Sequence, residues 1–162
     1  MLDVVSREEV VTADVAEVWA ALTEPDRVAQ WFGDRAEVDL RVGGAVAFGW
    51  PAGEVSKGVI TAVEPMTRYA FSWDVFGSVV DPAVFTQVEF SLRRVEGGVA
   101  VRVVESGLEL VSRSGVAPNL DDLYEEHVDG WRNEMTDLVG YLTPAGSMHG
   151  RDDLTGPASS YQ

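Results

Sequence analysis

One stretch near the C-terminal end of the sequence limits the possible folds more than any other. Residues 119–142 place an apolar or aromatic side chain at every third or fourth position, which is typical of an amphipathic helix. A helix of this length is about 36 Å long and can cross a whole small domain. Its apolar side needs a surface to cover, and we predict that the rest of the chain supplies one. The apolar stripe consists of Leu120, Tyr124, His127, Trp131, Met135, Leu138 and Leu142.

The same stretch carries the signals of a helix start. Asn119 follows a proline and is a suitable N-cap, and Asp121 and Asp122 place negative charge at the positive end of the helix dipole. The acidic pairs Asp121-Asp122 and Glu125-Glu126 belong to the opposite, solvated face. We therefore interpret them as surface charge rather than as a cation site.

Ahead of this helix the pattern predicts one strand, two short helices and then a series of strands. Residues 4–12 predict the first strand, and the two helices begin near Asp14 and at Pro25. Asp14, with Glu17 three residues later, resembles a capping box in which Asp14 is the N-cap. From residue 37 onward apolar and polar side chains alternate, which is typical of strands with one buried face. Hairpin connections between successive strands imply an antiparallel sheet.

Within that series, residues 37–42 predict a strand with Val38, Leu40 and Val42 on its buried face, closed by a hairpin turn at Gly43-Gly44. Residues 99–105 predict the last strand before the long helix. The predicted fold class is α+β, with a curved antiparallel sheet of about six to seven strands wrapped on the long C-terminal helix.

Composition excludes several classes of function. The net charge of −15 and the absence of cysteine argue against nucleic-acid or anionic-membrane partners, disulfides and sulfur-based zinc sites. We find no signal peptide and no apolar run long enough to span a bilayer, so we expect a cytoplasmic protein. We expect one domain over residues 1–143 and a disordered tail over residues 144–162, which is rich in Gly, Pro and Ser.

Two titratable residues are candidates for chemistry. His127 lies on the apolar stripe of the helix, where it is either a satisfied core residue or a polar group that orients a ligand or acts as acid or base. In the predicted last strand, Glu105 lies on the same face as Val99, Val101 and Val103, which we expect to point into the core. Either its carboxyl group points into the core, where burial without partners would raise its pKa, or the strand ends or bulges before it. Glu105 and His127 form the best acid/base pair that the sequence offers.

Large aromatic side chains and one methionine lie on the predicted inward faces of the strands and helices. Each such residue more often fills the hydrophobic core than contacts a ligand, but together they are typical of an apolar small-molecule site. The candidate ligand-binding residues are Trp31, Phe48, Trp50, Tyr69, Phe71, Trp73, Phe90, Tyr124, His127, Trp131 and Met135. No histidine metal motif, phosphate-binding loop or nucleophile elbow is present, so we expect no metal and no cofactor.

Several short motifs together resemble a known family, the homologues of the activator of heat-shock-protein-90 ATPase, within the START-like or SRPBCC superfamily. Each motif is weak alone, but they keep the family's order from about residue 5 to residue 142. The motifs are Trp31-Phe32, residues 39–44, Val63-Glu64-Pro65, Phe71-Ser72-Trp73, residues 104–108, Gly130-Trp131, Leu138 and Tyr141-Leu142.

The resemblance implies a helix-grip fold with a cavity between the sheet and the C-terminal helix. It also implies three alternative functions. The first is binding of a hydrophobic or amphipathic small molecule, lipid-like or polyketide-like. The second is a cyclase or hydrolase that uses Glu105 and His127. The third is a protein-interaction module that stimulates a chaperone ATPase, which we place last because the composition is acidic. The sequence leaves the oligomeric state open.

Overall fold

A seven-stranded antiparallel sheet forms the body of the molecule. The structure is a computed structural model and describes residues 3–74, 85–114 and 119–143. The strand order across the sheet is β1-β7-β6-β5-β4-β3-β2, so the first strand pairs with the last and the other neighbours follow the chain. The strands are β1 (Val4–Val11), β2 (Arg35–Val38), β3 (Ala45–Gly49), β4 (Val55–Glu64), β5 (Arg68–Asp74), β6 (Phe85–Val95) and β7 (Gly98–Ser106).

Four helices accompany the sheet in the described residues. They are α1 (Val15–Thr23), α2 (Pro25–Val28), α3 (Leu108–Ser114) and α4 (Leu120–Leu142). The last is the long helix, which packs against β1, α1 and α3 and covers the concave side of the curved sheet. The predicted α+β helix-grip fold is therefore confirmed. No helix among the described residues is long and apolar enough to cross a membrane.

The long helix begins where the sequence predicts. The Asn119 side chain accepts a hydrogen bond from the backbone N–H of Asp122 at 3.1 Å, which satisfies one of the free donors of the first turn. The face of α4 that meets the sheet is buried at Leu123, Trp131, Met135, Leu138 and Leu142. The capped start and the buried stripe together fix which face of the helix points to the sheet.

Replacing Asn119 with alanine is expected to lower the free energy of unfolding by about 1 kcal/mol, because the N–H of Asp122 loses its acceptor. Urea denaturation followed by circular dichroism measures the change. Asn133→Ala is the matched control, because Asn133 is exposed on the same helix away from its ends, and alanine is the better helix former there. Equal losses in both variants would contradict a capping role for Asn119.

The prediction that a strand extends over residues 37–42 was wrong. The strand β2 ends at Val38, and Leu40 and Val42 are exposed instead of buried. The backbone turns back on itself here, because the N–H of Arg41 donates to the carbonyl of Asp39 and the N–H of Gly44 donates to the carbonyl of Arg41. The predicted two-residue turn at Gly43-Gly44 is thus the end of a longer loop.

Two further elements differ from the prediction. The short helix α3 between the last strand and the long helix was not predicted. Asp14 stands at the N-cap of α1, but its side chain makes no capping hydrogen bond. The sequence also predicts a longer, glycine-containing connection over residues 74–82. Residues 75–82 of this connection and the predicted tail over residues 144–162 lie outside the described residues.

Candidate functional site

The site is organised around Glu105, which lies near the end of β7 with no exposed surface. The strand is regular through this position, since Glu105 pairs in register with Val5 on one side and Val88 on the other. The sequence left open whether the Glu105 carboxyl group points inward or the strand ends or bulges before it. The structure shows that the carboxyl group points inward. A buried carboxylate is costly unless it is hydrogen-bonded, so its partners decide how it is tolerated.

Four donors surround the Glu105 carboxylate, two on each oxygen. Trp73 Nε1 and Thr86 Oγ1 donate to Oε2 at 3.1 and 2.5 Å. Trp131 Nε1 donates to Oε1 at 2.8 Å, and His127 Nδ1 lies 2.5 Å from the same oxygen. Because an ionised carboxylate only accepts, the His127 ring is assigned with a proton on Nδ1. The carboxylate is fully satisfied without water.

The secondary structure explains this convergence. Trp73 on β5 and Thr86 on β6 are direct partners across the sheet, and Trp73 Nε1 also donates to Thr86 Oγ1 at 2.9 Å. His127 and Trp131 are four residues apart on α4 and therefore lie on the same face of the helix. Glu105 thus joins three neighbouring strands to the covering helix.

The hydrogen bonds reverse the pKa shift expected for Glu105. Burial alone would raise the pKa of this carboxyl, as its inward position in the sequence pattern predicts. The hydrogen bond and charge of His127, together with the hydrogen bonds from Thr86 and Trp131, outweigh burial and hold the pKa below its ordinary value. The group is therefore an ionised carboxylate at neutral pH.

His127 connects this network to a pocket. Its side chain is 14% exposed, and Nε2 has no hydrogen-bond partner among the described residues. Because Nδ1 is held by Glu105, the ring orientation is fixed and Nε2 is the nitrogen available to a ligand. The Glu105–His127 contact has the geometry of an oriented acid/base pair.

The pocket has a volume of about 250 Å³ and lies between the sheet and α4. Phe32, Trp73, Trp131 and Glu105 form its buried floor, while the remaining side chains are nearer to solvent. The complete lining is Phe32, Trp50, Trp73, Glu105, Glu126, His127, Gly130, Trp131 and Glu134.

Aromatic rings give the pocket a floor and a side wall. The ring centroids of Phe32, Trp73 and Trp131 are 5.6 to 6.1 Å apart, and their planes lie within 28° of one another. Near-parallel planes at these centroid distances are typical of offset stacking, so the three rings pack on one another at the base of the pocket. The Trp50 ring is inclined at 71° to Phe32 and 56° to Trp73, so it rises from this floor as a wall.

The backbone after Phe32 holds this ring in place. Gly33 has a φ of 67°, and a Cβ atom there would lie 2.2 Å from the carbonyl oxygen of Gly49. Only glycine combines this left-handed conformation with such a close approach. The positive φ of Gly33 and its close approach to Gly49 fix the backbone conformation between Phe32 in the pocket and the start of β2.

A second carboxyl group faces the pocket from α4. Trp50 Nε1 and Glu134 Oε2 are 3.5 Å apart, which is a long hydrogen bond. Burial raises the pKa of Glu134 to about 7, with a further increase from the nearby charge of Asp137. Two pocket carboxyls therefore have opposite pKa shifts, because Glu105 has four donors and Glu134 has one weak one.

The structure separates the predicted ligand-binding residues into two groups. Trp50, Trp73, His127 and Trp131 line the pocket together with Glu105. The others pack in the hydrophobic core or against it and do not reach the pocket: Trp31, Phe48, Tyr69, Phe71, Phe90, Tyr124 and Met135.

Sequence reasoning missed five residues of the site. Thr86 has the same parity as Val88 on β6, and this signal was available. Phe32 and Gly130 were both named in the family resemblance, but neither was named as a site residue. Glu134 borders the apolar stripe of α4, where helical periodicity alone does not distinguish a pocket edge from solvent. Glu126 was assigned to the solvated face of the helix, and the structure places this exposed residue in the lining of the pocket.

Other sites are less suited to a ligand or a metal. A larger hollow of about 480 Å³ lies beside α2, β2 and β3, but charged residues such as Asp26, Arg35 and Glu37 make up much of its lining. Among residues 3–74, 85–114 and 119–143, no group of three or more histidines and carboxylates is arranged to hold a metal ion.

Comparison with solved structures gives the same fold. Protein MLL2253 from Mesorhizobium loti matches with a TM-score of 0.72 and 23% identity, over 86% of this chain and 96% of that one. DynU16, from the dynemicin biosynthetic locus, matches with a TM-score of 0.71 and 29% identity, over 86% of this chain and 47% of that one. The Aha1 dimer from Colwellia psychrerythraea matches with a TM-score of 0.70 and 18% identity, over 86% and 95%.

No curated protein sequence matches the chain significantly. A family model does match, over residues 12–143, and its description is activator of Hsp90 ATPase homolog 1-like protein. The matched region contains α1, every strand from β2 onward and the whole of α4, and so includes all residues of the pocket. The chain therefore belongs to the activator of Hsp90 ATPase homolog 1-like family.

Proposed function

We propose that this protein binds an amphipathic small molecule in the pocket between the sheet and α4. The observation that carries the proposal is the combination of an aromatic floor with a polar group held at its edge. Phe32, Trp73 and Trp131 offer apolar surface, and His127 offers Nε2 in a fixed orientation. Pockets with mostly apolar walls and a few placed polar groups are typical small-molecule sites.

The size of the pocket limits the ligand. A volume of about 250 Å³ is below the roughly 300–1,000 Å³ of ordinary drug-sized sites. A single ring system or a short branched chain fits inside. A lipid-like or polyketide-like molecule, as the family resemblance implies, would place one end in the pocket and leave the rest outside.

The proposal predicts that a larger side chain introduced into the pocket from α4 weakens ligand binding. Gly130 lines the pocket, and a Cβ atom there meets nothing within 4 Å. Gly130→Leu is expected to weaken binding of tert-butylbenzene, a small apolar probe, by at least about tenfold, because leucine occupies the ligand's space. Tryptophan fluorescence measures binding, since Trp50, Trp73 and Trp131 surround the site.

Gly140 offers a matched control on the same helix. A Cβ atom at Gly140 would also meet nothing within 4 Å, but this residue does not line the pocket. Gly140→Leu should therefore bind the probe as the unchanged protein does. Replacing a helix-interior glycine also favours the helix in both variants, so instability does not explain a loss. Equal binding by the two variants would contradict the pocket as the site.

A second candidate function is acid/base catalysis by the same fold. The Glu105–His127 contact favours it, because a carboxylate that orients Nδ1 leaves Nε2 to accept a proton from a bound substrate. No serine, threonine or cysteine is among the described residues that line the pocket, so this candidate does not use a hydroxyl or thiol nucleophile from the lining. Turnover that survives in His127→Ala would exclude it.

Chaperone ATPase stimulation is the third candidate, and its support is the family description. It would use the outer surface rather than the pocket, in a cytoplasmic setting. An ATPase assay with the chaperone from the same organism distinguishes it from small-molecule binding. Pocket variants such as Gly130→Leu should leave chaperone stimulation intact.

A further inference from the structure

The pocket has an uneven balance of charge. Its lining contains three carboxyl groups, one imidazole and, among the described residues, no lysine or arginine. Glu105 is matched by His127 and three further donors. Glu126 and Glu134 form no ion pair within the described parts of the chain, and the only hydrogen bond of the Glu134 side chain found there is the 3.5 Å contact with Trp50. Two carboxyl groups are thus left without a cation at the exposed side of the pocket.

The aromatic lining is suited to the same ligand charge. The face of an aromatic ring carries partial negative charge and attracts a cation within about 6 Å of its centre, most strongly for tryptophan. The corner between the Phe32, Trp73 and Trp131 floor and the Trp50 wall brings four rings around one space. Three of these four rings are indoles.

We infer that the pocket selects a cationic ligand, namely a protonated amine or quaternary ammonium group carried on a small apolar body. This inference rests on the proposed function, since it names the ligand class of the same site. The apolar body contacts the aromatic rings, and the cationic group lies between the rings and the carboxyl groups of Glu126 and Glu134. An anionic ligand would meet negative charge on every polar side of the pocket except at His127.

Two further observations agree with this inference. The raised pKa of Glu134 marks a carboxyl that lacks a cationic partner, which a bound cation would supply. The net charge of −15 gives the whole molecule a field that attracts cations toward it. Neither depends on the shape of the aromatic corner.

Three probes of nearly equal shape test the inference. Phenyltrimethylammonium and tert-butylbenzene differ only in a nitrogen cation in place of a carbon, and phenylacetate carries a negative charge on a similar body. Tryptophan fluorescence titrations at pH 8 should show the cation binding about tenfold more tightly than tert-butylbenzene, with phenylacetate the weakest. Equal affinities, or a preference for either other probe, would overturn the inference and leave small-molecule binding standing.

A variant pair locates the source of the preference. Glu134→Gln keeps the size and the acceptor for Trp50 but removes the charge, so the ratio of cation to neutral affinity should fall about threefold or more. Glu125→Gln removes a charge from the same helix outside the pocket and should leave that ratio unchanged. Equal ratios in both variants would overturn the role of Glu134. Failure of all three probes to bind would instead refute the proposed function itself.

Discussion

Replacing Glu105 with alanine is expected to lower the free energy of unfolding by about 3 to 5 kcal/mol, the largest single effect that the structure predicts. The substitution removes the acceptor of Trp73 Nε1, Thr86 Oγ1, His127 Nδ1 and Trp131 Nε1 at once. The donors of Trp73, Thr86 and Trp131 are buried, so water cannot easily replace the lost acceptor. Urea denaturation at pH 7 measures the loss.

Two control variants distinguish the stability lost with the hydrogen bonds from the stability lost with the side-chain volume. Glu105→Gln keeps the shape, but its amide NH₂ would face two donors, so about 2 to 3 kcal/mol of the loss should remain. Glu8→Gln breaks only the exposed contact with Arg93, and it should change stability by less than about 0.5 kcal/mol. If Glu105→Gln were as harmless as Glu8→Gln, the network would not be a stabilising unit.

The lowered pKa of Glu105 also predicts how its contribution to the free energy of unfolding depends on pH. Because the folded-state pKa lies below the ordinary value of 4.5, the folded protein binds this proton less tightly than the unfolded chain. The contribution is therefore complete above the unfolded-state pKa and is lost as the pH falls through the folded-state pKa. The stability difference between the unchanged protein and Glu105→Gln should shrink in acid.

The sequence predicted much of this fold because its periodicities are strong. The stripe over residues 119–142 predicted α4 with its buried face, and parity along β7 offered the inward position of Glu105 as one of two arrangements. Periodicity reports which face of an element is buried, but not whether the element stays regular to its end. It does not report which side chains from different strands meet, and the contact between Glu105 and Thr86 follows only from the strand register.

The remaining differences have the same physical origin. Leu40 and Val42 alternate as in a strand, but hydrogen bonds within the loop exclude them from the sheet. Tyr69 and Phe71 have the same inward parity as Trp73, yet they fill the core while Trp73 reaches the pocket. Whether an inward ring packs or lines a space depends on the distance between sheet and helix, which no local pattern encodes.

Replacing Glu134 with glutamine is expected to stabilise the protein at alkaline pH. The folded-state pKa of Glu134 is about 7, against an ordinary value of 4.5, so the folded protein binds this proton more tightly than the unfolded chain. Stability therefore falls as the pH rises from about 4.5 to 7 and stays lower above that range. Each pKa unit corresponds to about 1.4 kcal/mol. Glutamine does not titrate, so the variant avoids this loss.

The expected gain of Glu134→Gln over the unchanged protein is about 2 kcal/mol larger at pH 8 than at pH 5, after allowance for the partial exposure of Glu134. Urea denaturation at both pH values measures it. Glu105, Glu126, His127 and Asp137 also lie near Glu134, but they are common to both proteins, so the comparison isolates one carboxyl. Glu125→Gln, on the exposed face of α4 and outside the pocket, is the matched control. A gain that is equal at pH 5 and pH 8 would mean that burial does not disfavour the charged form of Glu134.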